Sequence, residues 1–458
     1  MSDPALPFPP ASRPEERKAA ADRAAAYPYR FPRDTRPLGG EWTVEENKRR
    51  VLRCFAWQRR LAHALGAWTL AIPDFEVKIE TGRHIFLHMD AARKLRERLT
   101  EMEMLPAAVD AHRDVDIDAF VMEMLSAADT PELLVGIHRV VGKSLATAYR
   151  HHIDRTCPVV DAPTIRAMRQ ILLDFEGMLA WADAAIEAYV AGGIPATRLD
   201  AWEWHLRRLL AHHGGISGDG PEAPRPALRT DLVPFERGTV PCRDSRFATF
   251  HHTGDYNEAD GTARFEAGEY ADARLRFART QRDEVDAIEA FGTFLWDIRD
   301  KDFQAEYDLA RVTWDEARHT EIGHKTLSTM GYDPYELPNR LTSSTCRGPM
   351  EPAYAMAEIN LFGEVGVLKT INSLIDAARE RDDALLAHIA DYIRADERTH
   401  VRKGRHVLSV MTALKHRELE LRTRELFTEC LVSLGALPPG RQFGGPLDRE
   451  EIERLVGE

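Results

Sequence analysis

Apolar residues recur every three to four positions over long stretches of the chain, which is the period of an amphipathic α-helix. In the C-terminal half this pattern covers roughly residues 270–299, 303–329, 353–379 and 383–414. The N-terminal half contains four further periodic segments, at roughly 43–70, 77–104, 131–153 and 163–191. The hydrophobic pattern therefore predicts an all-α protein.

Proline and glycine divide the chain into four regions. Residues 1–40 contain eight prolines and are expected to form an extended arm without a helix. Residues 41–213 are predicted to form a helical domain. Residues 214–266 are rich in Gly and Pro and are interpreted as an ordered connecting segment between two helical halves. Residues 267–458 are predicted to form the second helical domain.

The connections between the four C-terminal segments differ in length. The first two segments are separated by a few residues near Asp300, and the last two by a few residues near Arg381. Between the second and the third lie about twenty residues, 331–350, with three prolines. The order short, long, short is typical of a four-helix bundle with one long crossover connection.

Glutamate and histidine interrupt the apolar faces of these four helices in a repeated pattern. Two Glu-x-x-His motifs occur, and positions i and i+3 of a helix share one face. A lone glutamate precedes the first motif by 32 residues and the second by 33. The resulting set comprises Glu284, Glu316, His319, Glu364, Glu397 and His400.

Carboxylates in an apolar core are costly unless positive charge compensates them. Four glutamates and two histidines that project into a four-helix core are the ligand set of the di-iron and di-manganese carboxylate proteins. Hard carboxylate oxygens with only two imidazoles favour iron or manganese over a metal that prefers thiolates. Two alternatives stay open: buried salt bridges to arginine, and a bundle that has lost its metal.

Three more acids are candidates for supporting the ligands. Asp315 and Asp396 each directly precede a ligand glutamate, and we expect them to accept the free ring N–H of a ligand histidine, across the bundle. Glu321 and His324 form a third Glu-x-x-His motif, with Glu289 again 32 residues upstream. That register is expected to face solvent, which leaves Glu289 as a candidate supporting group.

The two Glu…Asp-Glu-x-x-His repeats resemble the ferritin-like di-iron carboxylate superfamily, and they look most like its oxygenase and oxidase branch. The resemblance covers about 270–414. It implies a ferritin-like four-helix bundle in which the six residues bind two iron ions, or one manganese and one iron. It also implies that Glu316 and Glu397 bridge the metals. We assign no catalytic residue beyond the metal ligands.

The N-terminal helices repeat the short–long–short order of connections. The stretch from Glu80 to His84 can be laid over Asp315 to His319, which would make residues 41–213 a duplicate bundle without metal. An unrelated helical domain is the alternative. His84 and His88, like His151 and His152, are interpreted as surface or capping residues rather than ligands.

Composition narrows the range of functions. The chain has 458 residues and a net charge of −13, which argues against nonspecific nucleic-acid binding. It contains no apolar run that would cross a membrane and no secretory signal. Its five cysteines are widely spaced, which predicts a reducing cytoplasm and no disulfide framework. The chain also lacks a Gly-rich nucleotide fingerprint, so any electrons must come from outside.

Together these features predict an oxygenase or oxidase that uses O2, two iron ions and a small organic substrate. A separate reductase or electron carrier, or peroxide, would supply the reducing or oxidising equivalents, and a homodimer is compatible with this interpretation. The alternative is a ferroxidase or peroxide-consuming protein that handles metal without an organic substrate. A scaffold with a purely structural metal site is a third, non-enzymatic reading.

Overall fold

The structure is a computed structural model that describes residues 13–24, 34–221, 223–251, 270–444 and 449–456. Within these residues the protein is almost entirely helical, which confirms the predicted all-α class. The N-terminal helices are α1 (Pro14–Ala24), α2 (Val44–Trp68), α3 (Phe75–Glu101), α4 (Pro106–Asp110), α5 (Val115–Leu125), α6 (Thr130–Leu134), the π-helical turn π1 (Val135–Gly142), α7 (Lys143–Arg155), α8 (Ala162–Ala191) and α9 (Ala196–His212).

The C-terminal half repeats this helical character. Its helices are α10 (Tyr270–Asp283), α11 (Val285–Asp297), α12 (Phe303–Thr329), α13 (Thr342–Arg347), α14 (Pro352–Glu358), the π-helical turn π2 (Ile359–Gly363), α15 (Glu364–Glu380), α16 (Ala384–Met411), α17 (His416–Ser433) and α18 (Arg449–Val456). Two short strands, β1 (Thr249–Phe250) and β2 (Asn339–Arg340), pair in parallel.

Aspartate caps begin the two helices that carry the Glu-x-x-His motifs. The Asp302 side chain accepts the backbone N–H of Ala305 at the start of α12, at 2.8 Å. Asp383 does the same for Leu386 at the start of α16, at 3.1 Å. Each cap satisfies a donor that the first helical turn leaves without an intrahelical partner. Both helices are thereby held at defined starting points.

Four helical stretches of the C-terminal half form a bundle. Helices α10 and α11 pack on α12, helix α15 packs on α16, and α12 packs on α16. Two of the stretches are less regular than the apolar pattern predicts. The first breaks at Glu284, whose ψ of 1° leaves the helical range, and the third contains the turn π2. The apolar pattern identifies which side of a helix is buried. It does not reveal a local break or a π-helical turn, because these change the helix by only one residue.

The two halves share one continuous hydrophobic core. Helix α2 packs against α11, and α3 packs against α12 along most of its length. A buried ion pair joins the halves, with the Arg59 guanidinium 2.7 Å from Glu306 Oε2 and 2.8 Å from Oε1. His63 lies 3.0 Å from the same carboxylate. The N-terminal half is therefore in direct contact with the helix that carries the first Glu-x-x-His motif.

The proline-rich arm differs from its prediction. Residues 14–24 form α1, although the prolines were expected to prevent any helix in residues 1–40. Pro14 occupies the first helical position, where the missing N–H has no intrahelical partner to lose. That expectation is wrong for this part of the arm, and residues 1–12 and 25–33 lie outside the described residues.

The connecting segment is described up to residue 251. It has little regular secondary structure, but hydrogen bonds and ion pairs attach it to the helices. The backbone N–H of Cys242 donates to the Leu70 carbonyl at 2.8 Å, and Arg237 pairs with Asp297 at 2.8 Å. The segment thus contacts both halves. The remainder of the predicted segment, 252–266, lies outside the described residues.

One pair of cysteines contradicts the expectation that the chain contains no disulfide. Cys346 on α13 and Cys430 on α17 form a disulfide with a Cα–Cα distance of 5.8 Å. The two residues are 84 positions apart, so their proximity depends on tertiary packing that spacing does not reveal. Among the described residues, no helix combines the length and apolar character needed to cross a membrane.

Close approach of α2 and α11 predicts opposite effects for two glycine substitutions. A Cβ on Gly66 would lie 2.5 Å from the Gly292 carbonyl oxygen. We expect Gly66→Ala to lower the free energy of unfolding by about 1–3 kcal/mol through overpacking. The matched control is Gly177→Ala in α8, where a Cβ meets nothing within 4 Å. That change should raise the free energy of unfolding by about 0.5–1 kcal/mol.

Urea unfolding of both variants measures the two effects. A Gly66→Ala variant as stable as the wild type would show that the helices separate without cost, and would contradict the packing described above.

Candidate metal centre

The six residues of the motif set come from four different stretches of the bundle. Helices α12 and α16 each supply one Glu-x-x-His pair, Glu284 stands at the joint between α10 and α11, and Glu364 is the first residue of α15. All six side chains are buried, with between 0% and 8% of their surface exposed. The structure therefore brings together all six residues of the predicted ligand set.

Two imidazoles face the four carboxylates from opposite sides. His319 Nδ1 lies 3.1 Å from Glu284 Oε2, 3.5 Å from Glu316 Oε2 and 3.6 Å from Glu397 Oε1. His400 Nδ1 lies 3.1 Å from Glu316 Oε1, 3.6 Å from Glu397 Oε2 and 3.9 Å from Glu364 Oε1. Glu316 and Glu397 thus contact both imidazoles, whereas each of the other two glutamates contacts one.

This arrangement offers two overlapping sets of donor atoms. Within each set the atoms lie within 4.8 Å of one another. The first set consists of Glu284, Glu316, His319 and Glu397. The second set consists of Glu316, Glu364 and His400. Glu316 belongs to both sets, so the geometry suits two neighbouring cations that share a carboxylate.

The outer nitrogen of each histidine meets an aspartate from the opposite helix. His319 Nε2 lies 3.2 Å from Asp396 Oδ2, and His400 Nε2 lies 3.5 Å from Asp315 Oδ2. An N–H donated to a carboxylate fixes the tautomer in which Nδ1 carries the inward lone pair. Arg318 donates to Asp315 at 2.6 Å and also to Asp396. The aspartates are thus placed across the bundle, as the sequence analysis expected.

Two amides support the lone glutamates, and sequence reasoning missed both. Gln281 Nε2 donates to Glu284 Oε1 at 2.7 Å, and Asn360 Nδ2 donates to Glu364 Oε2 at 3.0 Å. Gln281 lies three residues before Glu284, and Asn360 four residues before Glu364. A helical spacing to a ligand is a signal that could have identified them.

Four buried atoms at the centre have no hydrogen-bond partner among the residues that the structure describes. They are Glu284 Oε2, His319 Nδ1, Glu364 Oε1 and His400 Nδ1. Each belongs to a residue whose other polar atom is already bonded on the outer side. Buried polar groups rarely remain unpaired in native proteins. Lone pairs that converge on one space are what a bound cation requires, so the residues present fit a metal pair.

The pKa values of the glutamates show that the centre, without a cation, does not compensate their negative charge. Burial raises the pKa of Glu284 and of Glu364 to about 8. Burial also acts to raise the pKa of Glu316, but its contacts with both imidazoles lower that pKa to about 2. Four carboxylates in this volume cannot all be ionised with two imidazoles as the only compensating groups.

Glu289 does not join the centre. Its carboxylate binds the ammonium of Lys78 and the guanidinium of Arg243, and it accepts the Ser344 hydroxyl at 2.5 Å. The prediction of Glu289 as a supporting group was based only on its position in the third motif, and its buried contacts are all with these residues. Glu321 of that motif is exposed.

A cavity of about 660 Å³ adjoins the carboxylates. All four glutamates of the centre form part of its lining. The remaining wall is mixed: its apolar part includes Ile359, Phe362, Val365, Phe427, Leu431 and Phe443, and its charged part includes Arg340, Arg347, Lys369 and Arg441. Phe427 and Leu431 belong to α17, the helix that the disulfide ties to α13. The cavity is large enough for a small organic molecule.

Residues 274–449 match the model of a family described as "Protein of unknown function (DUF455)". The matched stretch contains all six residues of the centre and both supporting aspartates. No curated protein and no solved structure matched the chain.

The shared role of Glu316 predicts a selective effect on metal binding. Glu316→Gln should abolish stoichiometric binding of Fe2+ at both positions, because the side chain contributes to both donor sets. Glu321→Gln is the matched control, since Glu321 lies on the same helix and is exposed. Anaerobic titration followed by elemental analysis measures bound iron. Full iron occupancy in Glu316→Gln would contradict the assignment of this glutamate to both sets.

The cross-bundle aspartates predict a graded effect. Asp396→Asn should weaken metal binding by about 10–100-fold, because such outer partners orient the ligand imidazole and raise its basicity. Asp391→Asn is the control, since Asp391 lies on the same helix and pairs with nearby Arg394, away from the imidazoles. Competition with a chelator measures the affinity of each variant. An unchanged affinity in Asp396→Asn would mean that His319 needs no such support.

Proposed function

We propose that the protein is an O2-activating non-heme di-iron oxygenase or oxidase that acts on a small organic substrate. One observation carries the proposal: four buried glutamates and two histidines form two overlapping sets of donor atoms. The four glutamates also line a cavity. The short–long–short order of connections supports a ferritin-like four-helix bundle as the fold that holds the set.

The donor set supports iron, or one manganese and one iron. Six oxygen or imidazole ligands without thiolate suit these metals better than a metal that prefers sulfur. Four negative charges would be balanced by two divalent cations. When bound, such a metal pair would supply the redox chemistry that reduces O2.

The residues of the chain would position and protect this chemistry. Asp315 and Asp396 hold the imidazoles with their Nδ1 atoms inward. Asn360 and Gln281 fix one oxygen of each lone glutamate and leave the other oxygen to face the centre. Burial of all six side chains excludes bulk water, which strengthens electrostatic interactions within the centre.

The cavity favours an organic substrate over iron alone. The apolar part of the wall, with Phe362, Phe427 and Leu431, would contact an organic molecule, whereas a path for Fe2+ needs no such surface. A volume of about 660 Å³ also greatly exceeds what O2 needs. A separate reductase or electron carrier would supply the electrons that reduce O2. Alternatively, peroxide would serve in place of O2 and of an electron donor. The cytoplasm, where such carriers are found, is the proposed location.

The competing function is a ferroxidase or peroxide-consuming protein without an organic substrate. The same six ligands would serve it, so the ligand set does not separate the two functions. They differ in whether iron remains a fixed cofactor or passes through the centre as a substrate.

Oxygen uptake at increasing iron loading separates these functions. Metal-free protein receives increasing amounts of Fe2+ under anaerobic conditions, and O2 is then admitted while its consumption is recorded. An oxygenase should reach a maximum once two iron ions per chain are bound, because the iron stays in place. Glu316→Gln should show no fast uptake, and Glu321→Gln should behave like the wild type.

Two outcomes would count against the proposal. Uptake that continues in proportion to added Fe2+, with ferric product released, would indicate a ferroxidase. A wild-type protein that binds no stoichiometric iron would exclude both functions and favour a structural scaffold. Fast consumption of hydrogen peroxide by the reduced protein, without O2 uptake, would identify the peroxide-consuming alternative.

A further inference from the structure

Three histidines are buried in the core of the N-terminal half. His84 and His88 lie on α3 and His138 lies in π1, and at most 1% of each side chain is exposed. The interpretation of His84 and His88 as surface or capping residues is therefore wrong. Five of their six ring nitrogens have no hydrogen-bond partner within the described part of the chain. This cluster is outside the candidate metal centre and has no role in the function proposed above.

The three rings form one group with a nearby carboxylate. The ring centroids of His84 and His138 are 5.0 Å apart, with the planes at 71°. His84 Nε2 lies 3.6 Å from Glu80 Oε2, one helical turn away. His84 and His88 are four residues apart on α3, so their side chains lie on the same face of that helix.

His88 is held in a defined orientation. Its Nδ1 lies 2.7 Å from Gln58 Oε1, and Gln58 Nε2 donates to the Tyr149 hydroxyl at 2.7 Å. With the amide in this orientation, Nδ1 carries the proton and donates it, and Nε2 presents a lone pair that no donor meets. An imidazole fixed through its outer nitrogen, with its other lone pair free, is the usual arrangement of a metal ligand.

The buried state of the rings suits metal binding. Burial lowers the pKa of His88 and of His138 to about 3, so both rings are neutral at physiological pH. Neutral imidazole is the form that binds metal ions. The unpaired inward nitrogens also match those of His319 and His400 in the candidate metal centre.

In sequence, part of the cluster aligns with part of the C-terminal centre. Laying Glu80 to His84 over Asp315 to His319 places His84 where the first ligand histidine stands. A π-helical turn accompanies both clusters, π1 with His138 and π2 next to Glu364. Such turns occur frequently at functional sites. On α8, Phe175 packs against His88 and Trp181 packs against His84, with ring centroids 5.7 Å and 5.1 Å apart.

We infer that His84, His88, His138 and Glu80 form a second metal site, which holds a single divalent ion that prefers imidazole. Three imidazoles with one carboxylate favour zinc or copper over the harder ions that suit the C-terminal centre. The cluster is not among the donor sets that already lie within 4.8 Å of one another, so binding requires rotation of the His84 and His138 rings. This site is independent of the proposed oxygenase function.

Cu2+ binding to the full-length protein tests the inference. Metal-free wild-type protein is titrated with Cu2+, and bound copper is measured together with its electron paramagnetic resonance spectrum. The expected result is one isolated Cu2+ with nitrogen hyperfine coupling, and this signal should persist in Glu316→Gln. The double variant His84→Gln/His138→Gln should lose that signal and one equivalent of copper.

His388→Gln is the matched control, because His388 is an exposed histidine of α16. It should bind as much copper as the wild type. Circular dichroism and Fe2+ binding at the C-terminal centre show whether the double variant is folded. If it does not fold, the spectrum of His319→Gln/His400→Gln decides the question, since this variant lacks the imidazoles of the C-terminal centre and contains the N-terminal histidines unchanged.

Two results would overturn the inference. One is a Glu316→Gln protein without a nitrogen-coupled Cu2+ signal. The other is a folded double variant that retains the signal and the stoichiometry of the His388→Gln control. Neither result bears on the oxygenase proposal, which depends on Fe2+ binding at Glu316 and on oxygen uptake.

Discussion

The neutralisation of buried negative charge is the constraint on which the candidate centre depends. Four glutamates converge in the core of the bundle, and two histidines compensate only part of their charge. Contacts with both imidazoles lower the pKa of Glu316 to about 2, whereas burial raises the pKa of Glu284 and of Glu364 to about 8. A core that served stability alone would be equally well or better filled with apolar side chains. The proposed pair of cations would balance all four acids and would bind the unpaired atoms between them.

Helices α12 and α16 determine the geometry of the centre together. Each supplies one Glu-x-x-His pair and also the aspartate that orients the histidine of the other helix. Arg318 contacts both aspartates, so neither helix can shift without disturbing both imidazoles. Glu284 and Glu364, by contrast, stand at a helix break and beside a π-helical turn. The paired motifs therefore form a rigid part, and the lone glutamates occupy the points where the backbone is least regular.

The sequence was most informative where local periodicity and chemistry coincide. The ligand glutamates and histidines stand on apolar stripes, so spacing alone could place them on facing helices. It could not place Glu289, because Lys78 is 211 residues away and Arg243 lies in an irregular segment. The disulfide and the burial of His84 likewise depend on contacts between distant segments. Helix α1 was missed for a different reason, since a proline at the first helical position permits a helix that an internal proline would break.

The N-terminal half has a structural role whatever its own chemistry. Helix α3 packs against α12, and a Cβ on Gly82 would lie 2.9 Å from the Cβ of Ala317. Ala317 directly follows Glu316, so this contact lies at the level of the ligands. Without α3 this apolar face of α12 would be exposed to water, and the position of Glu316 and His319 would lose its outer support. The stretch that matches the family model begins at residue 274 and contains every ligand, but the core that holds one ligand helix in place begins far upstream of it.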